Sequence, residues 1–123
     1  MRTLITLLAL TACTGSTTTY AIPTSLTASE LSFTQASVAA AMQNPASAQF
    51  DQIEGFMLSN GDRLACGEVI GRNGFNRTYG YAPFSLRFNG TTVRHLNIDD
   101  TTGYGAATVG CTAAANGQVN VSN

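Results

Sequence analysis

Three cysteines restrict what this 123-residue chain can fold into more than any other feature of its sequence. Cys13 lies near the N-terminus, whereas Cys66 and Cys111 lie in the body of the chain. Their spacing matches neither a CxxC redox pair nor a zinc site. An odd number of thiols in an exported protein requires an explanation, so the fate of Cys13 decides how the other two pair.

The N-terminal segment has the layout of an export signal. Arg2 is the only charged residue among the first 29, and it precedes a short apolar run at residues 4–10. A positive residue followed by such a run is typical of a signal peptide, which we expect to comprise residues 1–12. The run is far shorter than the roughly 20 apolar residues that a permanent transmembrane helix needs.

The residues after the apolar run resemble the bacterial lipobox, since residues 10–13 read Leu-Thr-Ala-Cys. In proteins with a lipobox the cysteine is acylated and becomes the mature N-terminus, which implies a membrane anchor at Cys13. Thr14, in place of an aspartate, favours the outer membrane facing the periplasm by analogy. Two alternatives stay open: cleavage after Ala21, which gives a secreted or soluble periplasmic protein, and retention of the segment as part of the fold.

Cleavage at either site prevents Cys13 from forming a disulfide with Cys66 or Cys111, because Cys13 is then either acylated or removed. Cys66 and Cys111 then remain, and an oxidising compartment favours one disulfide between them. Closing a loop of about 45 residues stabilises a protein by roughly 4 kcal/mol through the entropy of the unfolded chain. For a small domain this is a large part of the total stability.

Charge and composition exclude several classes of function. Only 11% of the residues are charged, all six basic residues are arginines, and the formal net charge is −1. A nucleic-acid-binding protein needs a basic face, so we expect no nucleic-acid partner. One histidine and two paired thiols leave too few ligands for a metal site, and we expect no cofactor.

The apolar pattern predicts one helix followed by antiparallel strands. Ser29 is a good N-cap for a helix over about 30–43, which the sequence Asn44-Pro45 ends. Two turn signals, Asn60-Gly61-Asp62 and Asn89-Gly90, predict hairpins. The expected strands comprise residues 52–59, 63–70, 79–88, 92–98 and 106–112.

This order of elements indicates an α+β fold, with one N-terminal helix packed on a four- to five-stranded antiparallel sheet. The disulfide would join the last strand to a central one. The globular domain is expected over residues 30–112. Residues 13–29 would form the lipidated cysteine and a flexible Ser/Thr-rich tether, and residues 113–123 a flexible C-terminal tail.

Two segments together resemble a group of small exported bacterial proteins that have no assigned function. Residues 44–50 read NPASAQF, which is similar to a DPxSAxF element. Residues 66–84 read CGEVIGRNGFNRTYGYAPF, which is similar to a CGxVNxxNxxGxYxGxxxF element. The resemblance implies an exported protein and no particular activity.

The loop at residues 71–81 is the main candidate for binding a partner. It concentrates arginine, aromatic and amide side chains, which dominate many binding surfaces. Its candidate contact residues are Arg72, Asn73, Phe75, Arg77, Tyr79 and Tyr81. Alternatively, its glycines supply turns and its aromatic rings pack on the core.

Three other titratable positions have simpler interpretations. His95 is expected to be a solvent-facing residue of a strand rather than a catalytic base. Asp99 and Asp100 are expected to lie in a solvated turn. Glu68 is expected to form a structural salt bridge with Arg72, Arg77 or Arg87, because a carboxylate buried in a sheet needs a partner.

These features favour a non-enzymatic, lipid-anchored envelope protein that binds a partner or supports an assembly. The partner would be an envelope protein or the cell wall, and Cys13 would provide the contact with the membrane. The alternative is a small periplasmic inhibitor or immunity protein against an envelope hydrolase, with the loop at residues 71–81 blocking the active site. An enzyme is the least favoured class.

Overall fold

The computed structural model describes residues 18–71, 81–99 and 105–120. In chain order the elements are β1 (Thr18–Pro23), α1 (Ala28–Ala40), a 3-10 turn (Pro45–Ser47), β2 (Gln49–Leu58), β3 (Arg63–Ile70), β4 (Ala82–Asn89), β5 (Thr92–Ile98), α2 (Ala106–Ala115) and β6 (Gln118–Asn120). The α+β class and the Cys66–Cys111 disulfide are confirmed.

All six strands belong to one curled antiparallel sheet in the order β5-β4-β3-β2-β1-β6. Side chains alternate between its two faces, and a helix packs on each. On one, the α1 face, Val38 of α1 and Met42, which follows the helix, pack against Val69 and Phe84. On the other, the α2 face, Ala114 of α2 packs in one hydrophobic cluster with Ala21, Phe56, Leu58, Leu64 and Cys66.

Helix α1 begins with a capping box. The Thr27 hydroxyl accepts a hydrogen bond from the Glu30 amide at 3.1 Å, and the Glu30 carboxylate accepts one from the Thr27 amide at 3.0 Å. Each bond satisfies an amide that lacks a partner within the helix. The cap is therefore Thr27, two residues before the expected Ser29, and the helix ends at Ala40, ahead of Asn44-Pro45.

Both predicted hairpins form. Strands β2 and β3 join across Asn60-Gly61, and β4 and β5 join across Gly90. Gly61 and Gly90 have φ values of +92° and +60°, a region that glycine enters without steric cost. Strands β3 and β5 have the expected bounds, while β2 begins at Gln49 and β4 at Ala82.

The tether predicted over residues 13–29 is wrong where the structure describes it. Residues Thr18–Pro23 form β1, which pairs with β2 on one side and with β6 on the other. Thr19 and Ala21 are buried on the α2 face. An uncharged Ser/Thr-rich composition is compatible with a strand, since threonine is common in sheets, and here the pairing with β2 decides the outcome.

The strand predicted over residues 106–112 is also wrong, because these residues begin α2. Alanine has the highest helix propensity, and the five alanines of α2 outweigh the β-branched residues Thr108 and Val109. The helix continues into the predicted flexible tail, and the chain then returns to the sheet as β6. The fold thus has two helices and six strands among the described residues.

The disulfide consequently joins a helix to a strand. The Cα atoms of Cys66 in β3 and Cys111 in α2 are 5.9 Å apart. Cys66 lies on the same face of β3 as Leu64. The bond therefore holds α2 against a central strand of the sheet.

Candidate binding cleft

A cleft of about 320 Å³ opens beside α2 on the α2 face of the sheet. Its lining comes from α2, from β4 and β5, from β6, and from Leu64 of β3. Strands β5 and β6 are the two edges of the sheet. They border the same cleft because the sheet curls around α2. A concave site between a helix and a sheet is a usual place for a ligand.

The floor of the cleft carries four polar side chains in register. Arg87 lies directly opposite His95, and Ser85 lies directly opposite Asn97. All four are on one face because they occupy alternate positions of β4 and β5. Within the described ranges, the side chains of Ser85, His95 and Asn97 make no hydrogen bond, so they are free to bind a ligand.

Arg87 is held at one end of the cleft by Asp62. The Arg87 Nε atom lies 3.7 Å from Asp62 Oδ2 and is buried without a hydrogen bond. Asp62 accepts hydrogen bonds from Asn89 at 3.2 Å and Asn60 at 3.3 Å, and Arg94 lies 3.9 Å away. Two arginines therefore lie near a single carboxylate, which also accepts two hydrogen bonds from asparagines, so this corner of the molecule carries excess positive charge.

The wall of the cleft is formed by small and apolar residues of α2. Ala106, Val109, Gly110 and Ala113 are spaced on one side of the helix. Val109 has 65% of its surface exposed, and a Cβ atom added at Gly110 would meet nothing within 4 Å. The adjacent side of α2, about 100° around the helix axis and containing Ala107 and Ala114, is buried against the sheet.

This combination suits a ligand with an anionic group and an apolar part. A guanidinium, an imidazole, an amide and a hydroxyl can all donate hydrogen bonds to a carboxylate. The apolar wall can cover carbon atoms of the same ligand. Among the described residues, no group of three or more His, Cys, Asp or Glu side chains could hold a metal ion.

Most of the loop that the sequence favours lies outside the described residues, namely Arg72, Asn73, Phe75, Arg77 and Tyr79. The structure places only Tyr81, which precedes β4 and is 44% exposed. The proposed lipidation site, Cys13, also lies outside the described residues.

Asp99 does not lie in a solvated turn as expected. It is buried at the end of β5, and its carboxylate binds the first turn of α2. Oδ1 accepts from the Ala107 amide at 2.9 Å, and Oδ2 accepts from the Thr108 amide and hydroxyl at 2.7 Å each. Asp99 is thus a structural residue, while Asp100 lies outside the described residues.

Glu68 does not form the expected salt bridge with Arg87. Arg87 lies close to Asp62 instead, and the other two candidate arginines lie outside the described residues. Glu68 and Glu54 line a shallow depression on the other side of α2, next to the disulfide. His95 is exposed, as the alternation of its strand predicts, but it faces the cleft.

No helix in the described part of the chain is long and apolar enough to cross a membrane. The chain matches no protein family, no curated protein and no solved structure. The site is therefore described by its own chemistry alone.

Sequence reasoning missed the cleft because its residues come from separate elements. The Asn89-Gly90 turn pairs β4 with β5 and could have brought Arg87 near His95. The α2 wall of the cleft could not be predicted from the sequence, because residues 106–112 have a pattern that also suits a strand. The cleft exists only because these residues are helical.

Proposed function

We propose that this chain is a non-enzymatic, lipid-anchored protein of the bacterial envelope, and that its domain binds a partner protein through the cleft beside α2. Strand β1 supports the lipid anchor. The unpaired hydrogen-bond donors on the floor of the cleft support the binding of a partner.

Strand β1 favours acylation at Cys13 over cleavage after Ala21. Cleavage after Ala21 would remove Thr18–Ala21, four of the six residues of β1. It would expose the core that Thr19 and Ala21 cover and would remove every partner of β6. Processing at the lipobox keeps the strand and leaves Cys13 five residues before Thr18. The anchored domain would face the periplasm at the outer membrane.

The disulfide supports an oxidising compartment. Structural disulfides persist in the periplasm and outside the cell, and are rare where thiols are kept reduced. Because Cys66 and Cys111 are paired, the remaining cysteine is Cys13, which the lipid would occupy. All three cysteines then have a role in an exported protein.

The chemistry of the cleft supports a protein partner that presents a carboxylate next to an apolar side chain. Arg87 and His95 would bind the carboxylate, Asn97 would donate a further hydrogen bond, and Val109 would contact the apolar group. Asp62 already pairs with Arg87, but Arg94 lies near the same carboxylate, so a carboxylate on the partner would balance the second positive charge at this end of the cleft. A cell-wall peptide with a free carboxylate is the other source of this chemistry.

Site-specific cross-linking in living cells tests the proposed function. A photoreactive phenylalanine analogue is placed at Val109, in the cleft, or at Val93, which is exposed on the other face of the sheet. We expect a protein adduct from position 109 and none from position 93. The adduct should decrease by roughly tenfold when Asn97→Ala and His95→Ala are combined, because each donor contributes about 1 kcal/mol or less.

The same experiment can contradict the proposal. Both substituted residues make no side-chain hydrogen bond within the described ranges, so the double variant should keep its fold, which circular dichroism checks. Equal adducts from positions 93 and 109, or an adduct that the double variant does not reduce, would show that the cleft is not the binding site. An adduct with peptidoglycan instead of protein would assign the cleft to the cell wall.

A further inference from the structure

We propose that the α1 face of β1, together with the end of β2, lies against the phospholipid bilayer that holds the lipid of Cys13. This surface, which we call the β1 patch, consists of Tyr20, Ile22 and Met57. The proposal rests on the acylation of Cys13, and it adds a second contact with the membrane that orients the whole domain.

The β1 patch brings together three of the large apolar side chains that are exposed in the described part of the chain. Tyr20, Ile22 and Met57 have 57%, 63% and 44% of their surface exposed. Ile22 lies directly opposite Met57 in the pairing of β1 with β2, and Tyr20 is two residues earlier on the same face of β1. Three such side chains at neighbouring positions on one sheet face form a patch rather than scattered surface residues.

The helices leave this patch uncovered. On the α1 face, α1 packs over β3 and β4, where Phe33 contacts Phe88 with ring centroids 5.3 Å apart. Strand β1 lies two positions beyond β3 in the sheet. The other face of β1 is closed by the core, where Ala21 belongs to the same hydrophobic cluster as Phe56 and Ala114. The patch is therefore the one face of β1 that is open to the surroundings.

The surroundings of the patch carry little charge, which suits an interface with lipid. Neither β1 nor β6 contains a charged residue. Arg63, which lies opposite Met57, is paired with Glu30 at 3.1 Å. A tyrosine ring with its polar hydroxyl is favoured at the level of the lipid head groups.

The short chain between Cys13 and β1 favours the bilayer as the surface that the β1 patch contacts. Four residues lie between Cys13 and Thr18. An extended chain covers at most about 3.6 Å for each of the five steps, so β1 begins within about 18 Å of the lipidated cysteine. Tyr20 and Ile22 follow directly. An anchored domain therefore holds this patch close to the membrane surface at all times, at a high effective concentration.

Fluorescence depth measurements test the orientation. The chain contains no tryptophan, so Ile22→Trp places a single probe in the patch and Val109→Trp places a matched probe in the cleft. The full-length gene is expressed in the exporting bacterium, the processed protein is reconstituted into phosphatidylcholine vesicles, and its mass reports the acylation. With brominated acyl chains, we expect emission from Trp at position 22 to fall roughly twofold and emission at position 109 to stay unchanged.

Each result decides the proposal. Acylated protein in which position 22 is quenched no more than position 109 overturns the membrane contact and leaves the anchor intact. A mass without acyl chains overturns the anchor, and the membrane contact with it. If Trp at position 22 is already shielded from solvent without vesicles and the protein sediments as a dimer, the patch binds a second copy of the chain. This result overturns the proposal. Tyr20→Trp repeats the measurement if Ile22→Trp fails to fold.

Discussion

At the scale of single residues, Asp99 connects the sheet to α2. Its carboxylate accepts three hydrogen bonds from Ala107 and Thr108, and so it satisfies amides that the helix itself cannot. The negative charge also lies at the helix end that favours it. A Cβ atom at Gly105, the N-cap of α2, would collide with this carboxylate, so a larger residue there would have to displace it from the helix end.

Replacement of this residue should weaken the attachment of α2. We expect Asp99→Ala to lower the free energy of unfolding by about 1–2 kcal/mol, because a cap and its hydrogen bonds are lost. Asp51→Ala is the matched control, since Asp51 is an exposed acid of β2. Urea unfolding followed by circular dichroism measures both variants. Equal midpoints for the two variants would show that Asp99 does not stabilise the helix.

Some residue roles could be predicted from the sequence and others could not. The two turn glycines at 61 and 90 follow from local turn chemistry, and the pairing of Cys66 with Cys111 follows from counting thiols. The role of Asp99 depends on a helix that begins seven residues later and whose own pattern is ambiguous. A contact of this kind needs the tertiary structure.

At the scale of elements, a bulge in the β4–β5 hairpin determines which residues line the cleft. The pairs Asn89–Thr92 and Phe88–Val93 are regular, and the register then shifts by one residue at Arg94, so that His95 lies opposite Arg87. Without the shift, Arg87 would face Arg94, and like charges directly opposite are destabilising.

The same bulge determines which side chains of β5 point to each face of the sheet. With the shift, Leu96 lies opposite Leu86 and Ile98 opposite Phe84, in the core under α1. A regular register would turn these apolar side chains to the α2 face, because one residue of slip reverses a strand. The alternation of β5 predicts its strand but not the bulge, so sequence reasoning predicts the hairpin and misses the cleft.

The disulfide should contribute most of the attachment of α2. We expect a variant with both Cys66→Ala and Cys111→Ala to lose about 4 kcal/mol of unfolding free energy, because the loop between them spans 45 residues. Amide hydrogen exchange in α2 should rise more than exchange in β3 and β4. Reduction of the parent protein is the matched control and should give the same loss. An unchanged unfolding midpoint would contradict this role.

At the scale of the whole molecule, the domain is larger than the sequence suggests. The predicted domain of residues 30–112 misses β1, the end of α2 and β6, which together close one end of the sheet. Their composition predicts flexible segments, because they are short and uncharged and contain many small residues. Small uncharged residues also fit a tightly curled sheet, and composition does not separate the two outcomes.

The anchor can be tested on the intact protein. We expect a clickable fatty acid to label the full-length chain in the cell and Cys13→Ala to abolish that label, since an acylated cysteine is the attachment point. The variant with Cys66→Ala and Cys111→Ala is the control and should keep the label. Label that persists in Cys13→Ala, or no label on the parent protein, would refute the lipid anchor.

The two ends of the curled sheet have a consequence for a protein that is crowded on a membrane. Unpaired strand edges can join neighbouring molecules into continuous sheets. Here one edge, β6, has only three residues, and the other, β5, carries a bulge beside Arg94. Short edges, bulges and charged residues all oppose strand addition. Copies of this domain can therefore be packed at high surface density and remain separate molecules.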